Sequence, residues 1–315
     1  MNGTTWIGLD KPIFDNFGFY ITYGKDNFGG NLWVAVGRGN VNTMGYSTNG
    51  TSWVGLGKNI FDNIGYSVSY SKDNIGGNIW VAVGTGNVNT MAYSTNGTSW
   101  VGLGKNIFDN YGFTIAYGKN NVGGNLWVAG GVGNVNTMAY STNGTSWVGL
   151  GKNTFPDGGF TVAYGKNNVG GNLWVAGGYT VTAGNTMAYS TNGTTWVGLQ
   201  KNTFSAQGLS LGYGKDNTGG SLWVAGGVGT SNTMAYSNNG ITWVGLNTNT
   251  FSSSGRSVVY GKDNLGGNLW VMCGVGTSNT MAYSTNGTTW TGLQTNTFST
   301  NGFGVAYADP SLGII

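Results

Sequence analysis

An all-β repeat fold built of four-stranded antiparallel blades is predicted by three observations. The motif N-G-[TI]-[ST]-W returns with its tryptophan at Trp6, Trp53, Trp100, Trp147, Trp196, Trp243 and Trp290, at spacings of 47, 47, 47, 49, 47 and 47 residues. A second series, [LI]-W-V, sets Trp33, Trp80, Trp127, Trp174, Trp223 and Trp270 in register with the first, and the two series account for all 13 tryptophans. The 61 glycines show no period of three and only 3 prolines occur, so glycine serves turns and close packing between short strands, not a collagen-like helix. Self-similarity at such a period marks a fold in which each copy buries its faces against its neighbours.

Within one copy, residues 66–103, four runs rich in β-branched and aromatic residues are separated by turn-forming clusters, the pattern of consecutive hairpins. Strand a is expected at Tyr66–Tyr70, b at Ile79–Val83, c at Thr90–Ser94 and d at Ser99–Leu103. The a–b link SKDNIGGN and the b–c link GTGNVN are rich in Gly and Asn. The c–d link carries Asn96-Gly97, a dipeptide suited to a tight hairpin because both residues tolerate positive φ. The d–a link GLGKNIFDNIG is longer, as a chain needs when it crosses from the outer edge of one sheet to the inner edge of the next. One such sheet cannot bury both faces alone, so the copies are expected to stack radially into a β-propeller, with a linear solenoid as the competing architecture. Seven d, seven a, six b and six c strands are counted. The count favours seven blades, the closing one incomplete and extended by a stub from ADPSLGII, over six blades. Residues 1–315 are then one domain.

Composition narrows the function classes. With 39% hydrophobic and 14% aromatic residues the chain buries a large core despite only 7% charged residues. The net charge of +3 is spread without a run of like charge, so neither a nucleic-acid arm nor a polybasic membrane patch is expected. Cys273 stands alone, in VMCG where other copies read VAVG or VAGG, and reads as a small buried side chain outside any disulfide or zinc cluster. The N-terminus MNGTTWIGLDKPIF lacks a basic stretch followed by an apolar one, and no run of 18 apolar residues occurs. Neither a signal peptide nor membrane insertion is expected, and a virion or cell surface is the setting inferred.

The segment STNGTSW, at Ser47–Trp53, Ser94–Trp100 and Ser141–Trp147, resembles the Asp-box of BNR, sialidase-like propellers, Ser-x-Asp-Gly-x-[ST]-Trp, at the turn between the third and fourth strands. Here Asn replaces the Asp in every copy, and Asn can make the same turn. The resemblance implies a propeller; in that family the box is structural and lies away from the active site. Family chemistry implies an arginine triad and a Tyr/Glu pair with an acidic partner, whereas this chain has only Arg38 and Arg256, no glutamate and no histidine. Asp26, Asp73, Asp216 and Asp263 recur in the K-D-N-x-G-G turn, replaced by Asn120 and Asn167 in two copies, as structural residues would be. The expectation is a non-enzymatic protein without catalytic residues or cofactor.

Because a–b and c–d links share one face of a propeller and b–c and d–a links the other, repeated side chains should form rings. Lys25, Lys72, Lys119, Lys166, Lys215 and Lys262 would ring one face; Lys58, Lys105, Lys152 and Lys201, with Arg38 and Arg256, would lie on the opposite one. These cations read either as solvated turn charges or as repeated ligand-binding positions that gain avidity for a glycan or other repetitive ligand. The DNxGGN turn offers hard oxygens but lacks the second carboxylate of a tight calcium site, so no metal is expected. The N-G-T sequons at Asn2, Asn49, Asn96, Asn143, Asn192 and Asn286 read as turns. A multivalent, lectin-like binding module is therefore expected. The alternative is a structural subunit of a virion surface, fibre or filament, self-associating through the incomplete blade.

Overall fold

The structure is a computed structural model, and it describes residues 11–307 apart from 74, 182, 264, 296 and 297. Six four-stranded meanders follow one another. They comprise β1 (Phe17–Lys25), β2 (Asn31–Arg38), β3 (Met44–Ser47) and β4 (Val54–Gly55), then β5 (Ile64–Lys72), β6 (Asn78–Thr85), β7 (Met91–Ser94) and β8 (Val101–Gly102). Next come β9 (Tyr111–Lys119), β10 (Asn125–Val132), β11 (Met138–Ser141) and β12 (Val148–Gly149), and β13 (Gly158–Lys166), β14 (Asn172–Tyr179), β15 (Met187–Ser190) and β16 (Val197–Gly198). Last are β17 (Gln207–Lys215), β18 (Ser221–Val228), β19 (Met234–Ser237) and β20 (Val244–Gly245), with β21 (Ser254–Lys262), β22 (Asn268–Val275), β23 (Met281–Ser284) and β24 (Thr291–Gly292). Each meander pairs in chain order a, b, c, d, and the fourth and fifth are joined by the single bridge Tyr179–Gln207. No helix occurs among the described residues.

The chain divides into two compact units, with the boundary along the chain between Gly159 and Phe160. In the first, β5 packs against β1 and β2, and β9 against β5 and β6; in the second, β17 packs against β14, and β21 against β17 and β18. Of the seven blades expected, six are formed by described residues. Trp6 and the ADPSLGII tail from residue 308 onward lie outside them. The strand expected at Phe303–Tyr307 is corrected: this segment makes no ladder. It is held on the sixth blade by Gly302 N–H to Gly274 O at 2.9 Å, Val305 N–H to Ser257 Oγ at 3.2 Å, and the Tyr307 ring over Gly261.

Strand boundaries depart from expectation for physical reasons. Strand a runs nine residues, with a bulge such as that between Gly65 and Ser67. Strand d shrinks to Val101–Gly102 because Trp100 turns back and donates its indole N–H to Gly97 O at 3.1 Å. The Asn96-Gly97 turn puts only Gly97 at positive φ, +76°. Asn96 works instead through its side chain: Oδ1 accepts the N–H of Thr98 at 3.0 Å and of Ser99 at 2.8 Å, while Ser94 Oγ accepts the Gly97 N–H at 2.8 Å. This is an Asx turn, repeated at Ser47/Asn49, Ser141/Asn143, Ser190/Asn192, Ser237/Asn239 and Ser284/Asn286.

Packing between blades rests on the second tryptophan series and on a phenylalanine from each d–a link. Trp80, Trp127, Trp174, Trp223 and Trp270 are fully buried, as are Phe61, Phe108, Phe155, Phe204 and Phe251. A threonine heading strand c anchors each phenylalanine. Thr233, with no exposed surface, donates its hydroxyl to Phe251 O at 2.7 Å. Its N–H goes to Asn247 O at 3.1 Å, and its own carbonyl accepts Gly227 N–H at 3.0 Å. Thr43, Thr90, Thr137, Thr186 and Thr280 make the same side-chain bond.

Two predictions follow from these turns and clamps. Thr233→Val keeps shape but leaves the buried Phe251 carbonyl without its donor, which should cost about 1–3 kcal/mol; urea unfolding should show a lower midpoint with unchanged slope. Asn96→Asp retains the acceptor oxygen and should leave the melting temperature within about 2 °C, whereas Asn96→Ala should lower it by about 2–4 °C, equivalent to about 1 kcal/mol.

Candidate functional site

Five of the six lysines at the end of strand a are tied into the blade. Lys25, Lys72, Lys119, Lys166 and Lys262 each donate from Nζ to Oδ1 of Asn31, Asn78, Asn125, Asn172 and Asn268 at 2.5–2.6 Å. The same oxygens accept the hydroxyls of Tyr23, Tyr70, Tyr117, Tyr164 and Tyr260 at 2.5–2.7 Å. Lys25, Lys119, Lys166 and Lys262 also stand 5.5–5.9 Å from those tyrosine ring centroids, a cation–π distance. In the fifth copy Ser221 replaces the Asn and bonds Tyr213 at 3.0 Å, and Lys215 is joined to the next blade through its carbonyl, which accepts Trp270 Nε1–H at 3.2 Å.

The opposite set is less uniform. Lys58 and Lys105 act electrostatically on Asp15 and Asp109. Lys201 donates to Thr180 O at 3.3 Å, and Lys152 is half-buried in its link. Arg38, exposed at the end of β2, acts on the Tyr66 hydroxyl. Arg256 donates Nε–H to Ser254 Oγ at 2.9 Å and stands 5.6 Å from the Phe303 ring centroid.

The aspartates serve as hydrogen-bond acceptors. Asp26, Asp73, Asp216 and Asp263 use Oδ1 to take two backbone N–H groups of their own a–b turn, and Asn120 and Asn167 do the same with an amide oxygen. Asp15, Asp62 and Asp109 bind the backbone N–H and side-chain amide of Asn40, Asn87 and Asn134. The Asn40 and Asn134 N–H groups hold Asp15 and Asp109 below the usual carboxylate range, and the Thr218 hydroxyl does so for Asp216. A general acid needs the opposite shift. No cluster of three or more His, Cys, Asp or Glu that could hold a metal occurs among the described residues.

Sequence reasoning missed an aromatic row at the start of the strands a of the first unit. Phe17 and Phe19 have centroids 6.0 Å apart, Phe19 and Tyr66 5.3 Å, Tyr66 and Phe113 4.9 Å, and Phe113 and Tyr111 5.4 Å in a stacked pair. The row crosses three adjacent blades. Phe17 and Tyr111 are 48% and 40% exposed, and the other three are half-buried. Desolvation, and secondarily Tyr111, raise the Tyr66 hydroxyl above its ordinary value, with Arg38 opposing. The signal was present in the third residue of each strand a, which reads Phe19, Tyr66, Phe113, Phe160, Leu209 and Arg256.

No family model matches the sequence, and no curated protein is detectably similar. The expected BNR or Asp-box membership is therefore not shown. Among solved structures the chain is similar to a protein of unknown function from Dyadobacter fermentans (12% identity, 87% of this chain and 92% of that chain, TM-score 0.40). It is also similar to an α-L-arabinofuranosidase from Fusarium graminearum (11%, 85% and 91%, TM-score 0.42) and to the GH74 enzyme of Niastella koreensis (12%, 86% and 49%, TM-score 0.28). The expectation of a non-enzymatic lectin-like module, with a virion, fibre or filament subunit as its alternative, is corrected here. It rested on missing residue types, while the arabinofuranosidase and the GH74 enzyme among the similar structures are glycoside hydrolases. At these identities and TM-scores they assign no activity in its place.

The charge states give a pH prediction. Asp15, Asp109 and Asp216 ionise more readily when folded, so the stability they lend is present above the ordinary value of 3.8 and lost as pH falls through their lower folded values. Burial pushes the Cys273 thiol from 9.0 up to about 11, so the stability it lends is full below the unfolded value and lost as pH rises through the folded one. No histidine exists to titrate between. The melting temperature should be flat from about pH 5 to 8 and fall on either side; calorimetry showing a step near neutrality would contradict this.

Proposed function

We propose that the chain takes carbohydrate polymer on the aromatic row Phe17, Phe19, Tyr66, Phe113 and Tyr111. That row is the observation that carries the reading. Five rings linked at 4.9–6.0 Å across three blades form an extended, partly exposed row whose successive planes differ by 13–62°, so that the apolar C–H faces of successive sugar rings can stack along a turning polymer. The hydroxyls of Tyr66 and Tyr111 and the guanidinium of Arg38 supply donors for sugar oxygens at its edge. A row suits a chain of sugars better than a single one.

Recognition and cleavage are separable. Asp15, Asp62 and Asp109 stand two residues ahead of β1, β5 and β9, the carboxylates nearest the row in sequence. Affinity electrophoresis through gels containing xylan, arabinan, β-glucan or glycol chitin should show retardation by at least one polymer. Tyr66→Ala and Phe113→Ala should each weaken it about tenfold, the equivalent of about 1.4 kcal/mol per lost stacking ring. Unretarded migration in every gel would refute the proposal. Reducing ends released in the same incubations read hydrolysis, and Asp→Asn at the three positions would locate any carboxylate responsible.

A further inference from the structure

The a–b turns present apolar side chains to solvent: Phe28, Ile75, Val122, Val169 and Leu265 are 83–99% exposed, with Thr218 at the equivalent place in the fifth copy. The turn holds its tip rigidly. In the first copy Asp26 Oδ1 takes the N–H groups of Phe28 and Gly30 at 2.9 and 2.7 Å, Asp26 N–H closes onto Gly30 O at 3.0 Å, and Gly29 sits at φ +82°. Neighbouring turns are linked. Asn78 Nδ2 donates to Asp26 O at 2.6 Å and Asn125 Nδ2 to Asp73 O at 3.2 Å, so Phe28, Ile75 and Val122 project from one edge of their unit. In the other unit Asn268 Nδ2 donates to Asp216 O at 2.7 Å, joining the turns of Thr218 and Leu265.

The flanking pattern K-[DN]-N-x-G-G is nearly invariant between copies, yet the tip reads Phe, Ile, Val, Val, Thr, Leu. Apolar character is kept in five of six copies while volume and branching change. A protein partner with a pocket for each tip would constrain shape, whereas a fluid hydrocarbon boundary requires only apolarity. The exposed b–c tips of the first unit contrast, with valine each time at Val41, Val88 and Val135. At the foot of the a–b tips stand Lys25, Lys72 and Lys119, against the two carboxylates Asp26 and Asp73, whose Oδ1 atoms face the turns' own N–H groups. The third turn carries neutral Asn120. Scattered in sequence, these cations are brought together only by the fold.

We propose that the a–b tips Phe28, Ile75 and Val122 of the first unit seat the protein on a lipid surface bearing anionic headgroups, the apolar side chains entering the headgroup–acyl boundary and Lys25, Lys72 and Lys119 meeting the phosphates. No helix of the described residues is long and apolar enough to cross a membrane, and the proposed contact is made by the turn tips alone.

Co-sedimentation of the full chain with phosphatidylcholine vesicles containing one-fifth phosphatidylserine tests this. The protein should partition to these vesicles and more weakly to phosphatidylcholine alone. The combined substitution Phe28→Ser, Ile75→Ser and Val122→Ser should reduce the partition coefficient at least about thirtyfold without lowering the melting temperature. Absence of partitioning, equal partitioning of the triple variant, or tips that change only the self-association seen by sedimentation velocity would each overturn the proposal.

Discussion

The hydroxyl of one buried threonine per copy holds the blades in register with the links between them. Thr43 shows the arrangement. Its side chain bonds Phe61 O at 2.5 Å, its N–H bonds Gly57 O at 3.1 Å, and its carbonyl takes Gly37 N–H at 3.0 Å. Strands b and c and the outgoing link are thereby joined at one point. Phe61 then lies against Gly84 of the following blade, where a Cβ would stand 2.8 Å from the ring, so the bond that closes one blade also sets the seat of the next. A buried carbonyl without this donor would be expensive, and the bond recurs wherever a blade is followed by a described link.

Once that frame is set, most polar repeat residues are committed to it. The interchange of Asp73 with Asn120 shows what the turn requires: an oxygen that accepts two N–H groups, not a charge. The first unit's Asp62 and Asn87 bridge link to turn, while in the second unit Ser252 Oγ takes the Thr277 N–H at 3.0 Å in their place. Among the residues that the frame does not consume are the third residue of strand a and the a–b tip. Both vary between copies, the first among Phe, Tyr, Leu and Arg and the second among apolar side chains and Thr. A repeat leaves its freedom to specialise at such positions.

Much of the blade was legible in the chain. Runs of β-branched and aromatic residues between Gly- and Asn-rich clusters placed strands a, b and c within a few residues, and the Ser-x-Asn-Gly pattern placed the c–d turn. The mechanism of that turn was not legible, because choosing between a positive-φ pair and an Asx turn depends on whether Ser94 and Asn96 reach the backbone N–H groups around them. Strand d was overestimated for the same reason: Trp100 looks like a strand residue until its indole finds the Gly97 carbonyl.

The sequence by itself determined the repeat, the four-stranded meander and the residue types available for chemistry, since these follow from periodicity, local turn propensity and composition. Only the tertiary structure decided which side chains remain available. Lys72 and Lys119 are identical in sequence role to free surface lysines, yet each gives one ammonium hydrogen to an asparagine six residues later that it shares with a tyrosine, which fixes where its remaining hydrogens can act. Phe19, Tyr66 and Phe113 lie 47 residues apart in the chain and become one aromatic surface because adjacent blades bring their first strands to van der Waals range. Contact across blades is a non-local property, and local sequence pattern does not carry it.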